Sequence, residues 1–343
     1  MTNLPEISKK AKALHFDSLV FDGLHCAPMT AEHFERLKLG GIDILHYTSV
    51  KVTDDFGAAV LNLHKLFKVI EEHSDKVLLV QSSADITRAQ ETGKIGIIAG
   101  FQNASPIMDK LEYLEIFYTL GVRIIQLTYN ERNLLGDGCV ESANGGLSRF
   151  GRWVVEEMNR LGMLVDPSHC GERTTLDAIE ISTSPVLITH SNAKALCPSM
   201  RNKSDKVLQA LVKNNGVIGV AFWGPMAYKD PNVRPKFQDF LDHIDYLVEH
   251  TGIDHVSIGS DLGEGESREQ YESMFIGGGG LYPEVTRDLG DWYTFDDRMV
   301  EHLDTAVNFP LLTHGLLERD YSETDVKKIM GGNIMRIFKE VVG

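Results

Sequence analysis

A chain of 343 residues with 43% hydrophobic content is long enough to bury one large core. Its 34 Lys and Arg against 49 Asp and Glu give a formal charge of −15 without any basic run, which argues against nucleic acid or a membrane surface as partner and leaves a small-molecule site. No window approaches the ~18 apolar residues of a membrane span, the first residues lack the apolar stretch of a secretion signal, and four cysteines without a CxxC pair cannot build a disulfide framework, so a cytoplasmic protein with reduced thiols is expected.

Short β-rich apolar runs alternate with stretches of helical period from one end to the other. SLVFDG (18–23) and IDILHYT (42–48) come first, followed by a short extra run, KVLLV (76–80), and then KIGIIAG (94–100). DKLEYLEIFYTLG (109–121) reads as a helix ended by Gly and leads into VRIIQLT (122–128). RFGRWVVEEMNRLG (149–162) is a second such helix, entering GMLVDPS (162–168), and PVLITH (185–190) follows. SDKVLQALVKNNG (204–216) is a third, before VIGVAF (217–222) and HVSIGSD (255–261). Strand–helix repetition of this kind predicts a parallel sheet buried on both faces. Eight main runs, nine with KVLLV, predict an α/β fold of the (β/α)8 TIM-barrel type. No linker or repeat divides the chain, so residues 1–343 are expected to form one domain. The least patterned region, within about 264–297, is expected as a long loop insertion on the face that carries barrel active sites.

Polar residues gather at the C-terminal ends of these runs: Asp22, His25, Cys26, His46, Gln102, Tyr129, His169, His190 and Asp261. His169 and His190 end successive strands, which lie about 4.8 Å apart in a sheet, so two imidazoles can share one metal ion. Asp261 offers a carboxylate to ligate metal, orient water or take its proton. Arg201 follows His190 by 11 residues. It is open to two readings: a solvated residue before a helix capped by Ser204, or a guanidinium that grips a substrate carboxylate. Tyr129 and Asn130 also read as plain barrel-rim polars.

The blocks GVRIIQLTYNERN (121–133), GLSRFGRWVVEEMNRLGMLVDPSH (146–169), THSNAKALCPSMRNKSD (189–205), HVSIGSD (255–261) and FPLLTHGLLERDYSETDVKKIMGGNIMRIFKEV (309–341) resemble, in order, those of the membrane (renal) dipeptidases. The resemblance implies a metal-dependent hydrolase barrel with a two-metal site that cleaves dipeptides. It puts His169 and His190 at the histidines of one metal, Arg201 at the substrate carboxylate and Asp261 at a carboxylate of the other metal. It also exposes departures. DGLHCAP (22–28) aligns on the family's Asp-Gly-His-x-Asp with Leu24 at the His, His25 at the spacer and Cys26 at the Asp. Gln102 stands at the bridging Glu and Tyr129 at the substrate-side His.

A neutral amide cannot hold two cations about 3.5–4 Å apart as a carboxylate does. One divalent metal, zinc, is therefore expected on His169 and His190, with Asp261, Cys26 or water completing the tetrahedron, and no second metal. Tyr129 would donate to a developing oxyanion, and Gln102 would contact substrate. Two functions stay in view: a metallodipeptidase or related amidohydrolase acting beside a free carboxylate, and a metal-free pseudoenzyme that binds a carboxylate-bearing small molecule. Cys26 reads as ligand, nucleophile or apolar filler, and a homodimer is left open.

Overall fold

A computed structural model describes residues 4–276 and 281–343. Its strands are β1 (Phe21–His25), β2 (Ile44–Thr48), β3 (Val77–Leu79), β4 (Ile95–Phe101), β5 (Val122–Gln126), β6 (Leu164–Asp166), β7 (Leu187–Ile188), β8 (Val217–Val220) and β9 (Val256–Ile258). All pair in parallel, in the orders β1-β2-β4-β5-β6 and β7-β8-β9. The extra run KVLLV does form a strand, but β3 pairs only with the first half of β4, from Val77↔Ile95 to Leu79↔Ile97. The second half of β4 belongs to β5, through Gly100↔Ile124 and Phe101↔Ile125. Eight staves therefore make the ring.

Two seams close it. Between β9 and β1 the backbone serves: Asp261 N donates to Leu24 O and Cys26 N to Leu262 O, each at 3.0 Å. Between β6 and β7 side chains serve instead. Asp166 accepts from Thr189 N at 3.2 Å and from Thr189 Oγ1 at 2.6 Å, and His190 N donates to Ser168 Oγ at 3.2 Å. PVLITH yields only two residues of regular strand because the Thr189 carbonyl turns toward the barrel axis. A Cβ at Gly23, Gly219 or Gly259 would collide with that oxygen, so glycine is required where three strands approach it.

The barrel interior is filled by Phe21, Ile44, Ile98, Ile124, Leu164, Leu187 and Val217, and its lower end is plugged by Ile334, Ile337 and Phe338 of the helix Asn333–Val341. Each such side chain contributes roughly 1.5–3 kcal/mol of burial. A second, larger apolar layer lies between strands and outer helices. The three expected helices run Glu112–Thr119, Arg149–Leu161 and Asp205–Lys213. Gly121 (φ 98°) and Gly162 (φ 74°) stop the first two in left-handed backbone, but Asn215 (φ 61°), not Gly216, turns the third.

The insertion expected as a loop is partly helical, with Arg268–Phe275 and Pro283–Thr286, while residues 277–280 of it lie outside the described residues. Tyr271, Met274 and Phe275 follow helical i, i+3, i+4 spacing behind the capping Ser267, a signal too short to stand out from its polar neighbours.

Candidate functional site

A cavity of about 700 Å³ opens at the C-terminal ends of the strands, and Cys26, Gln102, Tyr129, His169, Arg201 and Asp261 all line it. His169 and His190 are buried with their Nε2 atoms 2.8 Å apart. His169 Nδ1 lies 2.7 Å from Asn130 Oδ1, an acceptor, so that nitrogen carries the proton. His190 Nδ1 lies 2.8 Å from Thr189 Oγ1, whose single hydrogen goes to Asp166 Oδ2 at 2.6 Å. The hydroxyl thus accepts from His190 as well. Both imidazoles present a bare Nε2 lone pair to the other, and burial, then the charge of Arg201, holds each well below the ordinary histidine range. Two facing lone pairs at that distance repel unless a cation stands with them. The donor set fits one metal ion, with outer partners that fix the required tautomer.

The other half of the site has a different character. Leu24 is fully buried and has no donor atom. Cys26 Sγ lies 3.5 Å from Asp261 Oδ1 and 3.7 Å from Gln102 Oε1. Burial, then the carboxylates of Asp261 and Glu266, pushes the Cys26 thiol well above its usual range, which argues against a free-thiolate nucleophile. Burial raises Asp261 to about 6 against the opposing pull of Arg201. Asp261 itself has left-handed backbone (φ 55°), held by its own N–H on Leu24 O and by the preceding Ser260, which Asp22 binds. Among the described residues, no three His, Cys, Asp or Glu side chains gather closely enough to hold one ion. The four expected ligands stand as two pairs, His169 with His190 and Cys26 with Asp261.

Asp22 and His25 do not line the cavity. Asp22 accepts from Ser260 N at 2.7 Å, Ser260 Oγ at 2.6 Å and His25 Nδ1 at 2.8 Å, and His25 Nε2 meets His33 Nε2 at 2.7 Å. This network fastens β1 to the turn before Asp261. His46 is also inside the barrel and not on the rim, packed over Gly100 with its Nδ1 2.9 Å from Gly23 O.

Arg201 is 1% exposed, which removes the solvated reading. Its Nη1 donates to Ser168 O at 2.7 Å, while Nη2 is buried without a partner. Ser204 begins the helix in extended backbone but makes no side-chain cap bond. Tyr129 stacks on His169 with ring centres 4.1 Å apart, and burial keeps its phenol protonated and able to donate. The roles of Asn130, Asp166 and Thr189 escaped sequence reasoning, although Thr189 and Asp166 sit beside the two histidines in LITH and VDPSH.

The sequence model of the membrane dipeptidases (peptidase family M19) matches residues 9–274 and 289–342. The chain is 30% identical over 301 residues to the dipeptidase tcpJ of Claviceps purpurea, covering 87% of this chain and 62% of that one. It is 29% identical over 286 residues to the dipeptidase verJ of Clonostachys rogersoniana, covering 83% and 65%. It therefore spans less than two thirds of the length of these curated relatives. Among solved structures it resembles an amidohydrolase from Pseudomonas aeruginosa, 36% identical with a TM-score of 0.87 over 96% of this chain and 98% of that one. The fold is shared with a metallopeptidase from Rhodobacter sphaeroides liganded with a phosphinate mimic of L-Ala-D-Ala, 19% identical with a TM-score of 0.77 over 95% and 100%. A match that runs through both halves of the barrel and takes in His169, His190, Arg201 and Asp261 leaves one conclusion: the chain belongs to the membrane dipeptidase family, M19.

Proposed function

We infer that the chain is a metal-dependent hydrolase that cleaves the amide of a dipeptide-like substrate beside its free carboxylate. One observation carries this reading: the bare Nε2 atoms of His169 and His190 stand within the electrostatic reach of Arg201, whose own Nη2 is buried and unpaired. A cation and an anion are what those two features lack. The family implies a divalent metal, and the names of the relatives point to dipeptides.

Arg201 Nη2 takes the substrate carboxylate while Nη1, anchored on Ser168 O, keeps the guanidinium plane fixed. Tyr129 donates its phenol hydrogen to the carbonyl oxygen as negative charge develops there. Asp261, raised to about 6, is poised near neutrality to take a proton from water and return it to the leaving amine. His169 and His190 would hold a divalent metal, which would supply Lewis acidity and activate water. Two imidazoles suit zinc, and Leu24 and Gln102 leave a second cation without its ligands, so one zinc per chain is the stoichiometry of this reading. Four free cysteines suit a reducing compartment and support a cytoplasmic location. A metal-free binder is disfavoured by the two facing lone pairs.

The test is elemental analysis of the purified protein together with amino-acid release from a panel of dipeptides. About one zinc per chain and release that stops on chelation are expected. Absence of both would sink the reading.

A further inference from the structure

The cavity is larger than the backbone of a dipeptide requires, and its outer wall has a composition of its own. At about 700 Å³ it lies in the range of sites that enclose drug-sized molecules. Away from Arg201, and flanked by the polar Glu266, Gln270, Ser273 and Arg298, the lining includes Trp223, Tyr271, Met274, Phe275 and Leu281. Their polar atoms are used among themselves: Trp223 Nε1 donates to Tyr271 Oη at 2.6 Å, and Tyr271 Oη lies 2.7 Å from Tyr293 Oη. What those five side chains offer the cavity is apolar ring, aliphatic and thioether surface.

This wall is braced. Tyr282 N donates to Met274 O at 3.2 Å, Thr286 Oγ1 donates to Phe275 O at 2.8 Å, and the Phe275 ring meets Trp223 with centres 5.4 Å apart. It also reaches the reacting end, since Tyr282 packs 5.3 Å from Tyr129, which stacks on His169. Residues 275–288 fall between the two matched blocks of the family, so Phe275 and Leu281 belong to a segment that the family pattern does not cover. Leu281 is 60% exposed at the mouth, an apolar side chain that a bound molecule would cover.

Resting on the hydrolase reading only for the polar end of the cavity, we propose that the substrate is a dipeptide-like amide carrying one bulky aromatic or aliphatic group, which packs on Trp223, Met274 and Phe275 while its carboxylate is held at Arg201. A fixed apolar wall discriminates by size, because each well-packed methylene is worth about tenfold or more in specificity. Small dipeptides meet the polar end alone and leave the wall wet.

The test uses reduced-amide (CH2–NH) analogues of Gly-Gly, Phe-Gly, Gly-Phe and Leu-Gly, which cannot be hydrolysed, titrated calorimetrically into the metal-loaded protein. At least one of the two Phe analogues binds tenfold or more tightly than the Gly-Gly analogue, by roughly the factor a single methylene supplies. Phe275→Ala brings that ratio toward one, and Leu281→Ser, at an exposed position that does not endanger folding, lowers it in the same direction. Equal affinities across the series, or a preference that survives both substitutions, overturn the proposal. If the aromatic analogues bind preferentially but the natural dipeptides are not cleaved, the hydrolase reading fails and this one stands. Cleavage without size preference overturns the bulky-substrate proposal and leaves the hydrolase reading intact.

Discussion

Replacing Arg201 by Lys keeps the positive charge that depresses the His169 and His190 pKa values but removes the planar fork. In the wild type one arm of the fork is committed to Ser168 O at 2.7 Å and the other is free for substrate. A lysine ammonium, on a side chain with one nitrogen, cannot hold both in that geometry. Losing a hydrogen bond to a charged group costs about 1.5–3 kcal/mol. At 1.4 kcal/mol per tenfold, kcat/KM for dipeptides with a free C-terminal carboxylate should fall roughly 10- to 150-fold. C-terminally amidated analogues never made the contact, so they start lower and lose much less. The assay is the ratio of kcat/KM for matched acid and amide substrates in both proteins, with thermal melts to establish that the variant is folded. Equal proportional losses for acid and amide would refute the carboxylate role and leave Arg201 as a structural residue tied to Ser168.

Three further outcomes are expected. His190→Ala should take bound metal from about one per chain to none and abolish amide cleavage, and unchanged metal content would refute the site. Gln102→Glu places a carboxylate beside the Cys26–Asp261 pair; without a second cation the like charges raise each other's pKa, so activity should fall or hold and metal stay at one per chain or fewer. A measured stoichiometry near two would show that the site is a two-metal centre lacking only its bridge. His15 supplies a stability prediction far from the cavity: it is buried between Thr313 Oγ1 at 2.9 Å and Gly40 O at 2.7 Å, and burial lowers it from 6.5 to about 4. The folded chain then binds fewer protons than the unfolded chain between those values, so the stability is present above pH 6.5 and is lost as pH falls toward 4, by about 3 kcal/mol at 1.36 per unit. His15→Gln should flatten the decline in denaturant midpoint between pH 7 and 4 relative to wild type, and parallel curves would remove His15 as its source.

The eight staves were legible because each strand buried on both faces leaves an uninterrupted apolar run, a signal that does not depend on what packs against it. The irregularities were not. Nothing in PVLITH announces that the Thr189 carbonyl turns inward, since the space for it is made by glycines on three other strands. KVLLV looks like any other strand, and only the shared use of β4 by β3 and β5 excludes it from the ring. At the site, His169, His190, Arg201 and Asp261 could be read from strand ends and family blocks. His25 misled because it adjoins Cys26, but the register of β1 shifts between Asp22 and His25, so His25 turns back to Asp22 and His33 while Cys26, just past the strand, faces the cavity. The tautomers of the histidine pair depend on Asn130, 39 residues from His169, and on Asp166, 24 residues before His190, and no local pattern could assign them.

The two halves of the site also differ in their hydrogen bonding. Cys26, Gln102 and Asp261 leave no buried side-chain atom unpaired: the thiol has two acceptors to choose between, and Asp261 sits near neutrality through burial. His169 and His190 are the opposite case. Their protons are fixed on Nδ1 by Asn130 and by the Thr189–Asp166 pair, and burial denies them a second proton, so their facing lone pairs are relieved only by an electrophile. The demand for a cation therefore falls on the pair of histidines that Arg201 and Tyr129 adjoin.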